Sequence, residues 1–101
     1  MKTKSYKISK QAIIDLNNIW TFTFKNWSKD QADRYYALII DELEYIADNY
    51  LIGKSVVQTR NNYRVCKMKS HLIFYRKVEG ELVEIVRILH QRMDIKKYLN
   101  K

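Results

Sequence analysis

Two histidines, His71 and His90, and two tyrosines, Tyr75 and Tyr98, share the second half of the chain with the cations Arg60, Arg64, Lys67, Lys69, Arg76 and Arg87. Side chains of these types could cleave RNA through its 2′-hydroxyl. That reaction takes a general base, a general acid and cations around the phosphate. The set would be drawn from His90, Arg64, Arg87 and Tyr75. It lacks a base, because Glu79, Glu81 and Glu84 cluster at one hairpin and no other strand glutamate stands out in this half. His90 also has a plainer reading. A lone histidine at a strand end is more often a hydrogen-bonded structural group than a catalyst. Here it would fix a strand-to-helix turn, with Asp94 as a candidate partner. His71, at a strand start, reads as a surface or hairpin residue. No catalytic residue is assigned.

The same residues support binding without chemistry. Arg92-Met93-Asp94 lies beside Lys96 and Lys97 at the edge of the molecule, and is a candidate contact for a target. Asp94 also suits the start of a terminal helix, where a carboxylate meets free amides and the helix dipole. Arg64 and Arg87 have apolar neighbours within strands, so each either faces solvent or holds a carboxylate. Trp20, Trp27 and Tyr36 read as core or hairpin-packing residues, with an apolar docking groove as the functional alternative. The single cysteine, Cys66, excludes an internal disulfide and leaves no cluster for a metal. No metal or cofactor is expected, and a reducing cytoplasm is the expected location.

Charge separates the halves. Residues 1–53 balance seven Lys/Arg against seven Asp/Glu, whereas residues 54–101 carry twelve against four and hold the whole net charge of +8. Such a half attracts nucleic acid, a ribonucleoprotein or an acidic protein segment. At 101 residues the chain is read as one domain, 1–101, and two glycines with no proline leave no linker. No apolar run is long enough for a signal peptide or a membrane span, so no membrane association is expected.

These residues need elements to hold them. Lys4–Ile8 reads as a short strand, and Ser9 as the cap of a helix whose face carries Ala12, Leu16, Ile19, Trp20 and Thr23. Asn26-Trp27 breaks it. Ser28 and Gln31 make a capping box for a second helix, with Ala32, Tyr35, Tyr36, Ile39, Leu43, Ile46, Ala47 and Tyr50 as its stripe and Gly53 as its end. Tyr63–Lys69, His71–Val78 and Glu81–Leu89 read as strands, the last two joined at Glu79-Gly80. Leu72, Phe74 and Val78 form one face, which places Tyr75 opposite that core; Val83, Ile85 and Leu89 form the face of the next strand. Cys66 and Met68 read as semi-buried. Asp94–Asn100 reads as one or two helical turns. The result is α+β: a β-α-α-β-β-β-α order with a helical hairpin packed on an antiparallel sheet.

His71-Leu72-Ile73-Phe74-Tyr75-Arg76, followed by the run from Ile85 to Asp94 with its Leu89-His90-Gln91-Arg92-Met93-Asp94 ending, resembles the paired-strand signature of ParE toxins in the RelE/ParE superfamily. Tyr6 to Ile19 is similar to that family's first strand and helix, and Trp27-Ser28 with Gln31-Ala32 and Tyr35 to its second helix start. The resemblance spans about Tyr6 to Leu99. It implies a toxin encoded with a ParD-type antitoxin, whose C-terminal segment wraps and silences it in a toxin–antitoxin hetero-oligomer. It further implies inhibition of DNA gyrase, trapped on cleaved DNA. RelE relatives on the same fold instead cut messenger RNA in the ribosome, so the fold leaves the target to the site. The ending here differs from the His-Tyr ending of one nuclease branch.

Three readings follow. In the first, the protein binds gyrase through Arg87, His90, Arg92, Met93, Asp94, Lys96 and Lys97, and its antitoxin through Arg60, Arg64, Tyr75, Arg76, Trp20 and Tyr36. The second is a ribosome-dependent ribonuclease built on His90 and the arginines. The third is a degenerate member that binds an antitoxin without being toxic.

Overall fold

The computed structural model describes residues 6–56 and 62–99. Strand β1 (Tyr6–Ile8) leads into helix α1 (Lys10–Asn26), which Ser9 caps by accepting the Ala12 amide hydrogen at 3.0 Å. After Trp27, Ser28 caps helix α2 (Lys29–Asp48) by accepting from the Gln31 amide, again at 3.0 Å. The hairpin is tied where the Trp20 indole donates to Asp33 at 2.9 Å. Helix α2 stops at Asn49, and a 3-10 turn over Tyr50–Ile52 fills the interval to Gly53. Gly53 is therefore not the helix terminator that the sequence suggests. It is a point of close approach: a Cβ there would lie 2.8 Å from the Val65 carbonyl oxygen and run into the Tyr75 hydroxyl.

Strands β2 (Lys54–Ser55), β3 (Arg64–Met68), β4 (His71–Glu79) and β5 (Leu82–His90) complete a five-stranded sheet in the order β1-β5-β4-β3-β2. Its consecutive strands are antiparallel, while β1 lies parallel to β5 and makes the sheet mixed. Gly80, at φ +53°, opens the two-residue loop between β4 and β5, where that conformation is wanted. Helix α3 (Ile95–Leu99) follows.

Register decides which residues face the helices. Tyr75 pairs with Ile85 and Phe74 with Arg87, so Val86 is an extra residue, a β-bulge, in β5. Val83 and Ile85 before the bulge, and Ile88 after it, all join the core under α1 and α2, with Leu16, Ile39, Leu43, Ile73 and Tyr75. Leu89 falls on the other face with Tyr63, Phe74 and Leu99. The sheet is thus apolar on both sides. Tyr75 sits in the larger core rather than opposite it, and Leu72 and Phe74 belong to the smaller cluster.

The β1 edge of β5 is paired only as far as Ile85, and α1 covers the remainder. Ser9 donates its amide to the Ile85 carbonyl at 3.0 Å and its hydroxyl to the bulged Val86 carbonyl at 2.7 Å. Farther along α1, the buried Asp15 carboxylate accepts the Ile88 amide at 2.9 Å and takes a fork of two bonds, each 2.9 Å, from Arg87.

Tyr75 is fully buried, and its hydroxyl donates to the Tyr50 carbonyl at 2.7 Å and accepts from the Gly53 amide at 2.9 Å. Burial is the largest cause pushing its phenol up to about 12.

Two predictions follow from these contacts. Asp15→Asn leaves a partly buried guanidinium short of its counter-charge and should cost roughly 3 kcal/mol in urea unfolding; a loss below about 1 kcal/mol would mean that solvent screens the pair. Gly53→Ala should cost about 1–3 kcal/mol through overpacking against Val65 and Tyr75, read as a lower Tm, and an unchanged Tm would refute the close approach.

Candidate functional site

The open end of the sheet, where β3 turns into β4 and β5 ends, meets the junction of α1 and α2 in a groove of about 670 Å³. Phe22, Trp27, Leu38 and Met93 line it, at 64%, 70%, 46% and 40% exposure. Apolar side chains left in water around one concavity are the mark of a surface that another molecule covers. Its floor is polar. His71 and His90 are directly opposed on β4 and β5, with ring centroids 5.4 Å apart and planes at 82°. Arg34 and Lys69 line it as well. Among the described residues its one lining acid, Asp15, is already held by Arg87.

Each imidazole has a fixed Nδ1. That of His90 accepts the Arg92 amide hydrogen at 3.1 Å, and the His90 carbonyl accepts from Met93 at 2.9 Å. His90 therefore does fix the turn after β5, with Arg92 rather than Asp94 as its hydrogen-bond partner. The Nδ1 of His71 lies 2.8 Å from the Tyr35 hydroxyl. Burial holds His71 below its ordinary pKa, the neighbouring His90 adds to this, and Asp15 acts in the opposite sense. His71 is thus part of the groove, and not the simple surface residue that its place in the sequence suggests.

The four residues of the ribonuclease reading do not converge. Tyr75 and Arg64 are paired across β4 and β3. His90 is opposite His71, four residues along β4 from Tyr75 and so about 13 Å away along the strand. Tyr75 has no exposed surface, and Arg87 is committed to Asp15 with its guanidinium over the Tyr98 ring at 5.3 Å. Arg64 donates to the carbonyls of Leu51 and Gly53 and so clamps the 3-10 turn.

The residues proposed to meet a partner are also dispersed. Tyr75 is excluded from any docking surface by its burial, and Arg64 is a structural clamp. Arg76 lies over Tyr63, at 5.8 Å, and pairs with Glu84 at 3.2 Å, beside the smaller cluster on the other face of the sheet. Trp20 is half-buried, stacked on Phe24 at 5.2 Å, and Tyr36 is exposed. Arg60 lies outside the described residues, as does the side chain of Lys96. Of the target set, His90 and Met93 line the groove, while Arg92, Asp94 and Lys97 are exposed beyond it.

Phe22, Leu38 and Arg34 are absent from the sequence-based site. Phe22 and Leu38 carry one signal, as apolar side chains that fall off the core stripe of each helix, like Ile13, Ile14 and Phe24. Among the described residues, no group of three His, Cys, Asp or Glu could hold a metal ion, and no helix is long and apolar enough to cross a membrane.

A family model described as "ParE toxin of type II toxin-antitoxin system, parDE" matches residues 6–95. The chain is 38% identical to Toxin ParE1 of Caulobacter vibrioides, over 95% of its own length and 98% of the relative's. It is 35% identical to Toxin ParE1 of Mycobacterium tuberculosis, over 93% and 96%. In fold it resembles a chain of the chromosomal ParDE TA system from P. aeruginosa, with a TM-score of 0.74 at 18% identity, covering 87% of this chain and 96% of that one. A helical hairpin on a mixed sheet, an exposed apolar groove and a full-length sequence match agree: the chain belongs to the ParE toxin family of type II toxin–antitoxin systems.

Proposed function

We infer that this toxin is silenced by a ParD-like antitoxin lying along the groove, and that the unbound protein acts by binding DNA gyrase on cleaved DNA. The observation that carries the first half is the ring of exposed Phe22, Trp27, Leu38 and Met93 around one concavity. An amphipathic segment seats apolar anchors in such a groove. The second half draws on the likeness of the β4–β5 signature to ParE toxins. It is supported by the dispersal of His90, Arg64, Arg87 and Tyr75, which leaves that set unable to act on one phosphate. A toxin of this kind acts by capture, without a cofactor and without a membrane.

The target contact is assigned to the segment after β5, where Arg92, Asp94 and Lys97 are exposed beside Lys96. His90 contributes by holding the Arg92 amide, and Arg87 by anchoring β5 to α1. The antitoxin contact shifts from Arg64, Tyr75 and Arg76 to the groove, with Tyr36 on its helix α2 and Trp20 at the hairpin.

A supercoiling assay with purified gyrase should lose supercoiling and accumulate linear, protein-linked DNA, while a ribosome-programmed message stays whole. Cut message with normal supercoiling would overturn the reading. Reversing two exposed charges, Arg92→Glu with Lys97→Glu, should raise the concentration needed for inhibition about tenfold or more; an unchanged curve would move the target contact elsewhere. Leu38→Asp places a charge in the groove and should weaken antitoxin binding about a hundredfold, measured by calorimetry.

A further inference from the structure

The floor of the groove carries an instruction about its occupant. His90 Nδ1 accepts a backbone N–H, so in the neutral ring the proton is on Nε2 and that nitrogen is a donor. The Tyr35 hydroxyl can donate to Nδ1 of His71, which gives the second ring the same tautomer. Two imidazole donors then stand beside one another on the floor of an apolar groove. A metal ion is a poor match, since it needs the lone pair that each Nε2 has given to its proton.

The surrounding charges point the same way. Around His71 and His90 are Tyr35 from α2, Asp15 from α1, Arg34 on the groove wall and Lys69 in the β3–β4 turn. Asp15 is neutralised by Arg87, so the groove presents cations and N–H donors. Lys69 holds φ +54°, a left-handed conformation that a long side chain rarely adopts, and this turn keeps a lysine at the rim where glycine or asparagine would be less strained.

We propose that His71 and His90 together read a carboxylate on the docking segment, and that the groove takes up a proton when that acidic, apolar segment binds. The proposal rests on the antitoxin being the groove's occupant. Without an occupant, burial and the mutual proximity of the two rings disfavour a charged His71. A carboxylate placed against the pair reverses that balance. The bound state then holds more protons than the free state between the lowered pKa of the free His71 and its raised pKa in the complex, and binding tightens as the pH falls through that window. The Tyr35 hydroxyl can turn to accept from Nδ1 of a charged His71, beside the Nε2–H donor of His90.

The test is calorimetric titration of the cognate antitoxin into the toxin at pH 6.0 and pH 8.0, in buffers of differing ionisation enthalpy. The expected result is affinity severalfold higher at pH 6.0, below the tenfold limit of a one-unit pKa rise in one group, with uptake of up to about half a proton. The double variant His71→Gln, His90→Gln should bind more weakly and bring the ratio between the two pH values to within about twofold. Retention of the native amide spectrum in this variant separates lost recognition from lost fold. PH-independent affinity in the wild type, or a ratio unchanged in the double variant, would overturn the proposal while Leu38→Asp still weakens binding. If Leu38→Asp leaves binding intact, the groove is not the antitoxin's site and the functional reading fails first. Displacement of the antitoxin by a single-stranded oligonucleotide, with the same proton uptake, would overturn it in favour of a phosphate ligand.

Discussion

A strand that loses its neighbour halfway along leaves amides and carbonyls facing nothing, and β5 does so where it also bulges. Asp15 and Ser9 resolve both problems from the first turns of α1. Ser9 supplies a donor for the bulged Val86 carbonyl, and Asp15 an acceptor for the Ile88 amide. A buried carboxylate needs a counter-charge, and Arg87, one residue after the bulge, provides it. The bulge itself returns Ile88 to the helix-facing core after Ile85. One carboxylate thereby sets the height of α1 on the sheet and the register of the last strand, and the groove floor beside it inherits both.

The two faces of the sheet have separate tasks. Beneath the helices, Tyr75, Ile73 and Ile85 make a closed core, and the Tyr75 hydroxyl pins the turn that leaves α2. On the other face, α3 and the smaller cluster cover β4 and β5. The groove opens at the end where His71 and His90 are paired. There the hairpin junction at Trp27 projects past the core and leaves Phe22 and Leu38 without cover.

Much of this is legible in the residues. The two serine caps, the stripe Ala12–Leu16–Thr23 and the β4–β5 hairpin depend on local chemistry, which a sequence displays. The two-residue β2 has no pattern to display, and the parallel pairing of β1 with β5 depends on residues 77 positions apart. The faces of β4 and β5 mislead for a physical reason. Alternation assumes that one side is wet, and here both sides are dry, with a bulge that shifts the parity between Ile85 and Ile88. The site is harder to read than the fold. Arg87 and Arg64 look like members of a basic strip until Asp15 and the Gly53 carbonyl are found to occupy them. The groove depends on Phe22, Arg34 and Leu38, which lie on two helices and gain meaning only when these meet the end of the sheet.

The bonds that seat α1 join Ser9 to Val86 and Asp15 to Arg87, at separations of 77 and 72 residues. A ribosome adds residues one at a time, and contacts of such long range form slowly and late. Until Arg87 has emerged, the growing polypeptide has two amphipathic helices and no finished surface for them to rest on. Neither wall of the groove can meet the other before His90 and Met93 follow. The groove is therefore completed only once the last strand has been made, after both of the helices that wall it.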